Sequence, residues 1–204
     1  MITLAVVSDM MKYSILLLAL SFLCFSPAFA QAKYEREFRI RKSQFPQNAL
    51  EQIEDQIKDS RRLRFYKEID SATISFEAKF KKDRLHYSIE FNSEGELEDI
   101  EVLIKEVDIP TDVFSSVSDY LKGNCINFKI RRLQQQYPVT EKQKMEKVIK
   151  DAFQNLILPY INYEMVVFCK TDAGREEYEY LFNSDGAFIS RRKSLPPNYD
   201  HILY

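Results

Sequence analysis

Apolar residues recur along this chain at two spacings, every second residue and every third or fourth. Residues 34–40 place Tyr34, Phe38 and Ile40 on one side together with Arg36, which predicts a first strand. Phe45-Pro46 then opens a helix to about Asp59, with Leu50, Ile53 and Ile57 as its buried stripe. A strand over residues 63–69 leads into a three-stranded meander. Ile74, Phe76, Ala78 and Phe80 share one face, as do Leu85, Tyr87, Ile89 and Phe91, and then Ile100, Val102 and Ile104. Lys82-Asp83-Arg84 and Asn92-Ser93-Glu94-Gly95 are the turns. The residues between are polar: Ser75, Glu77, Lys79, His86, Ser88 and Glu90. A sheet with one buried and one wet face gives this pattern.

The second half alternates in the same way. Ile109-Pro110 starts a helix that ends at Gly123, with Val113, Phe114, Val117, Tyr120 and Leu121 as its apolar positions. Ile126, Phe128 and Ile130 read as a strand. Thr140, with Gln143 at capping-box spacing, begins a third helix. Its broad stripe runs from Met145 through Val148, Ile149, Ala152 and Phe153 to Leu156 and Ile157, and Pro159 ends it. Strands follow over residues 163–169, 178–182 and about 187–191. The tail from Ser194 lacks periodicity.

The two halves match. Phe91-Asn92-Ser93-Glu94-Gly95 returns as Phe182-Asn183-Ser184-Asp185-Gly186, and Tyr87 and Ile89 correspond to Tyr178 and Tyr180. Phe76, Ala78 and Phe80 correspond to Met165, Val167 and Cys169, and Phe45-Pro46 to Ile109-Pro110. The expected organisation is an α+β fold of tandem helix-plus-antiparallel-sheet repeats, 31–108 and 109–193, with helices on one face of the sheet. A helical insertion occupies 138–160 of the second repeat, and a tail spans 194–204. Either unit alone would be marginal at this size. Of the four glycines, Gly95, Gly174 and Gly186 fall in turns and Gly123 at a helix end, so none remains for a phosphate-cradling loop.

This arrangement resembles the PepSY-like proteins of bacterial envelopes, whose fold is related to the β-lactamase inhibitory protein (BLIP). In that family a helix opened by apolar-Pro precedes antiparallel strands, one carrying Tyr-x-apolar-x-Phe before a polar-Gly turn. Tyr87 to Gly95 and Tyr178 to Gly186 match, with Pro46 and Pro110 at the helix starts. The likeness covers roughly residues 34–193. It implies an extracytoplasmic, non-enzymatic role in binding, or inhibiting, a protein or peptide, and it brings no catalytic residues. The inserted third helix departs from the family and leaves the shape of any binding surface open.

Composition narrows the function further. The chain has 204 residues and a net charge of −2, without a basic stripe, which argues against nucleic acid as a partner. Lys12, the apolar run from Ile15 to Phe25 and the small-x-small site Ala28-Phe29-Ala30 form a signal peptide, with cleavage expected after Ala30. No membrane span is expected after cleavage, and lipidation at Cys24 is disfavoured by Leu23 before it. Cys125 and Cys169 then remain. They either pair in an oxidising compartment or stay as two buried thiols, and the apolar strand face around Cys169 favours the thiols.

His86 and His201 are the only histidines, with no His-Glu-x-x-His or Gly-x-Ser-x-Gly motif. Glu94, Glu96, Glu98 and Asp99 read as a solvated hairpin tip without EF-hand spacing. No catalytic residue, metal or cofactor is expected. The expected binding surface is the polar face of the meander, carrying Glu77, Lys79, His86, Ser88 and Glu90. The alternative is a structural or chaperone-like envelope component that docks through Met145, Ile149, Phe153 and Leu156.

Overall fold

The computed structural model describes residues 32–33, 35–70 and 73–194, which belong to one unit. The expected signal peptide and the tail beyond Ser194 lie outside the described residues. The elements run β1 (Ala32–Lys33), β2 (Glu35–Ile40), α1 (Gln47–Ile57), β3 (Arg61–Asp70), β4 (Thr73–Lys82), β5 (Leu85–Asn92), β6 (Leu97–Leu103), α2 (Thr111–Asn124), β7 (Asn127–Pro138), α3 (Met145–Phe153), β8 (Asn162–Thr171), β9 (Gly174–Asn183) and β10 (Phe188–Ser194). Strands β2 to β10 form one antiparallel sheet in chain order, and β1 adds in parallel to the far side of β10.

The even spacing of apolar residues decides which face of the sheet the helices cover. Ala78, Phe80, Tyr87, Ile89, Phe91, Ile100 and Val102 are buried in one core with Leu50 and Ile53 of α1. The same core takes Val113, Val117 and Leu121 of α2, beside Tyr163, Met165, Tyr180 and Phe182. Phe45, just before α1, sets its ring 4.8 Å from Phe65 and 5.7 Å from Phe91. Burying side chains of this size contributes about 1.5–3 kcal/mol each. The hairpin turns fit under the helix starts. Gly95 has φ +75° and its neighbour Glu94 accepts a bond from Asn48 of α1 at 2.6 Å, while Gly186, at φ +79°, lies against the Val113 carbonyl of α2. Only glycine takes that conformation without strain, and neither position has room for a Cβ.

Three expectations are corrected. The third helix begins at Met145, not Thr140, because residues 140–143 close a separate turn, with Gln143 N donating to Thr140 O at 3.1 Å. Strand β7 continues well past Ile130 to Pro138. A bulge between Ile130 and Arg132 resets its parity, so that Leu133, Gln135 and Tyr137 point toward the helices. Gln135 is polar yet 2% exposed, because its amide donates to the Leu156 carbonyl beyond α3 at 2.9 Å. Finally, Cys125 and Cys169 are joined. Cys125 ends α2, Cys169 lies on the helix-facing side of β8, and their Cα atoms are 5.4 Å apart. Both are buried, as two thiols would be, but α2 ends directly over β8 and so they are bonded.

The stripe on α3 lies on this chain's own sheet. Val148, Ile149 and Ala152 are buried in the core, and the Phe153 ring stacks on Tyr87 with centroids 4.5 Å apart. No helix among the described residues is long and apolar enough to cross a membrane.

Candidate functional site

The two ends of the sheet meet. Ala32 and Lys33 pair with Lys193 and Ser194 of β10, whereas Glu35 pairs with Asp70 of β3. Neighbouring Cα atoms are about 3.8 Å apart, so Lys33 and Glu35 lie within about 8 Å of each other. Strands β3 and β10, at opposite ends of the run, are therefore separated by little more than the stretch 32–40, and the sheet curls into a cup. The helices pack on its outside. The polar side chains line its inside, around a cavity of about 450 Å³ to which every strand from β2 to β10 contributes.

The expectation of an open, wet polar face is thereby corrected. Glu77 is 3% exposed and Ser88 7%. The cavity wall carries nine carboxylates and four cations. Glu77 on β4, Glu90 on β5 and Asp99 on β6 occupy directly opposed positions, three like charges in a row across the sheet. Such pairs are destabilising, and here Glu77 is buried while Glu90 and Asp99 are half-buried.

Each carboxylate meets this differently. Glu77 accepts the Ser88 hydroxyl and sits 2.6 Å from the Lys79 ammonium, which also reaches Glu37 at 2.7 Å. Burial opposes the charge on Lys79, but Glu77 and Glu37 together hold its pKa above the usual lysine range. Glu101 takes the Gln134 amide, and Arg192 pairs with Glu179. Among the described residues Asp99 accepts only the Gln136 amide, at 2.8 Å, and its Oδ1 is buried without a hydrogen bond. Glu90 has neither a donor nor a cation beside it among the described residues. Desolvation, reinforced by Asp99 and Glu101, pushes Glu90 well above the usual carboxylate range. Desolvation with Glu164 lifts Asp99 to about 8, and desolvation with Glu77 lifts Glu68 to about 8. Burial, with Glu164 and Asp99, pushes Glu101 up too. The cup therefore holds protons that these groups would release in water.

The structure brings Glu77, Lys79 and Glu90 together in the cup wall. Ser88, bonded to Glu77, and His86 line a smaller adjoining cavity instead. Asp99 is moved from the expected hairpin tip into the cup. Sequence reasoning missed Asp99, Glu101, Glu164 and Glu179 as companions of Glu77. The signal was present, since each occupies the polar position of an alternating strand, but the expected polar face stops at β5, and Asp99 on β6 follows directly on the acidic hairpin turn.

No family model matches the chain, and no curated protein matches it. Solved structures do. A DUF2874 family protein from Bacteroides ovatus superposes with a TM-score of 0.52 at 11% identity, covering 78% of this chain and 94% of that one. The chain shares the fold of that protein. A BLIP-like protein from Bacteroides fragilis gives 0.47 at 9% identity, covering 77% and 92%. A further DUF2874 family protein, from Bacteroides uniformis, gives 0.48 at 10%, covering 72% and 88%. At 11% identity the first of these likenesses concerns the fold alone.

Proposed function

We propose that this chain is an extracytoplasmic, non-catalytic module whose cup binds a basic segment of a protein or peptide partner. One observation carries the reading: the cup already holds an alkylammonium of its own. Lys79 lies between Glu37 and Glu77 at 2.7 and 2.6 Å. Glu90 and Asp99, next in the row, have no such counter-charge. A lysine or arginine from outside would supply it as these carboxyls give up the protons they hold, and ion pairs of this kind carry binding energy and partner choice. The Cys125–Cys169 bond and the signal-type N-terminus support placement outside the cytoplasm.

The tandem duplication belongs to the same proposal. Asn92 and Asn183 support it, because each side chain accepts the backbone N–H groups two and four residues on, at 2.8–3.0 Å, before an equivalent glycine turn. Calorimetric titration with lysine-rich and glutamate-rich peptides of equal length tests the binding. The basic peptide is expected to bind, to weaken with salt, and to lose its affinity on Glu90→Lys. Equal behaviour of the two peptides overturns the reading.

A second reading has one observation in its favour. One carboxylate oxygen from each of Glu77, Glu90 and Glu101 falls within a 4.8 Å cluster, a spacing that suits a divalent cation. Lys79 and Ser88 already take up Glu77, which favours the first. Titration with calcium alone, with unfolding temperature as readout, separates the two.

A further inference from the structure

At one end the acidic cup runs into a second cavity of about 270 Å³, and the two share Lys79, Glu101 and Arg132. The sign of the charge changes there. Arg64 stands opposite Lys79 in the sheet, and Arg61 opposite Lys81, so cations now face each other across neighbouring strands. Like charges so placed cost stability unless something answers them. Lys79 is answered by Glu37 and Glu77. Arg62, Arg64 and His86 line the cavity and make no ion pair or hydrogen bond with the described residues. Arg62 sits where the β3–β4 register shifts, in a left-handed conformation at φ 59°, and such bulges re-aim side chains.

The remaining wall is mixed, with Ser88, Glu101 and Gln134 as polar members and Tyr66 and Leu103 as apolar ones. Tyr66 lies beside Arg64 with the Lys79 ammonium 4.9 Å from its ring centre, and Leu103 is 42% exposed. Two free guanidinium groups next to apolar surface suit a carboxylate carried on an apolar group, because the guanidinium fork matches both carboxylate oxygens. The adjoining acid row decides which such carboxylate fits best. A chain that enters with its terminal carboxylate at the arginines lays its preceding residues along Glu90 and Asp99, where basic side chains are favoured.

We propose that this end of the cup receives the C-terminal carboxylate of a peptide whose last side chain is apolar and whose preceding residues are basic. This rests on the basic-segment reading above and adds the direction and end of the bound chain. The test uses the full chain and the peptide acetyl-Lys-Gly-Lys-Gly-Lys-Phe as free acid and as C-terminal amide, with N-acetylphenylalanine alone as a third ligand. The free acid is expected to bind about tenfold more tightly than the amide. In an Arg62→Ala/Arg64→Ala variant, checked by circular dichroism, that preference should disappear while amide binding is retained.

Equal binding of acid and amide to the unaltered chain would overturn this proposal and leave the basic-segment reading standing. A preference that survives loss of both arginines would also overturn it. Binding of N-acetylphenylalanine as tightly as the peptide would replace the peptide with a small free carboxylate. Absence of binding by either peptide would overturn both readings.

Discussion

Replacing Asp99 by asparagine should stabilise the fold, increasingly so as pH rises. The Asp99 carboxyl has its pKa lifted from 3.8 to about 8 by burial and by Glu164. The folded chain keeps this proton while the unfolded chain gives it up. Stability from this group is therefore full below the unfolded pKa and is lost as pH climbs toward about 8. At neutral pH the unfolded chain lies about three units above its own pKa, which at about 1.4 kcal/mol per unit sets a ceiling of about 4 kcal/mol. Glu90 and Glu164 share the same unfavourable field, and local relaxation softens it, so about 1–3 kcal/mol is the expected gain near pH 8. Asparagine keeps an oxygen for the Gln136 amide and does not ionise. Urea unfolding of both proteins at about pH 5 and about pH 8 measures the effect. The natural chain should lose stability between these two, and the gap to Asp99→Asn should widen. A gap that stays constant, or a natural chain that grows more stable over this interval, would refute the account of the cup.

Gly186→Ala should cost about 1–3 kcal/mol in denaturant unfolding, because a Cβ there would stand 2.6 Å from the Val113 carbonyl oxygen at a φ of +79°. Removing the disulfide with Cys125→Ala and Cys169→Ala together should lower stability by up to about 4 kcal/mol, the chain-entropy expectation for a separation of 44 residues, and reductant should then leave the variant's unfolding curve unchanged. Phe153→Ala should cost about 2–4 kcal/mol, measured by thermal unfolding, since its ring lies 4.5 Å from Tyr87 and 6.2 Å from Phe80 and ties α3 to the sheet.

Much of the fold was legible because it depends on local periodicity. Phe76, Ala78 and Phe80 alternate with Ser75, Glu77 and Lys79, and a period of two assigns each to a face whatever lies further away. Pro46, Pro110, Gly95 and Gly186 likewise mark element ends through their own backbone preferences. Strand β7 was harder to see, because Gln135 looks solvent-facing until the Leu156 carbonyl is placed over it. The pairing of Cys125 with Cys169 was undecidable for a similar reason, since two buried cysteines read alike whether 5 or 10 Å apart.

The sequence by itself determined that Glu77, Lys79, Ser88 and Glu90 share the face away from the helices, since alternation is a property of consecutive residues. Only the tertiary structure decided that this face is the inside of a cup. That outcome depends on the accumulated twist of the sheet and on residues 32–40 bonding to both β10 and β3, pairings far apart in the chain that no local pattern encodes. Curling brought Asp99, Glu101, Glu164 and Glu179 beside Glu77 and removed them from water, and a row of ordinary surface acids became a desolvated site.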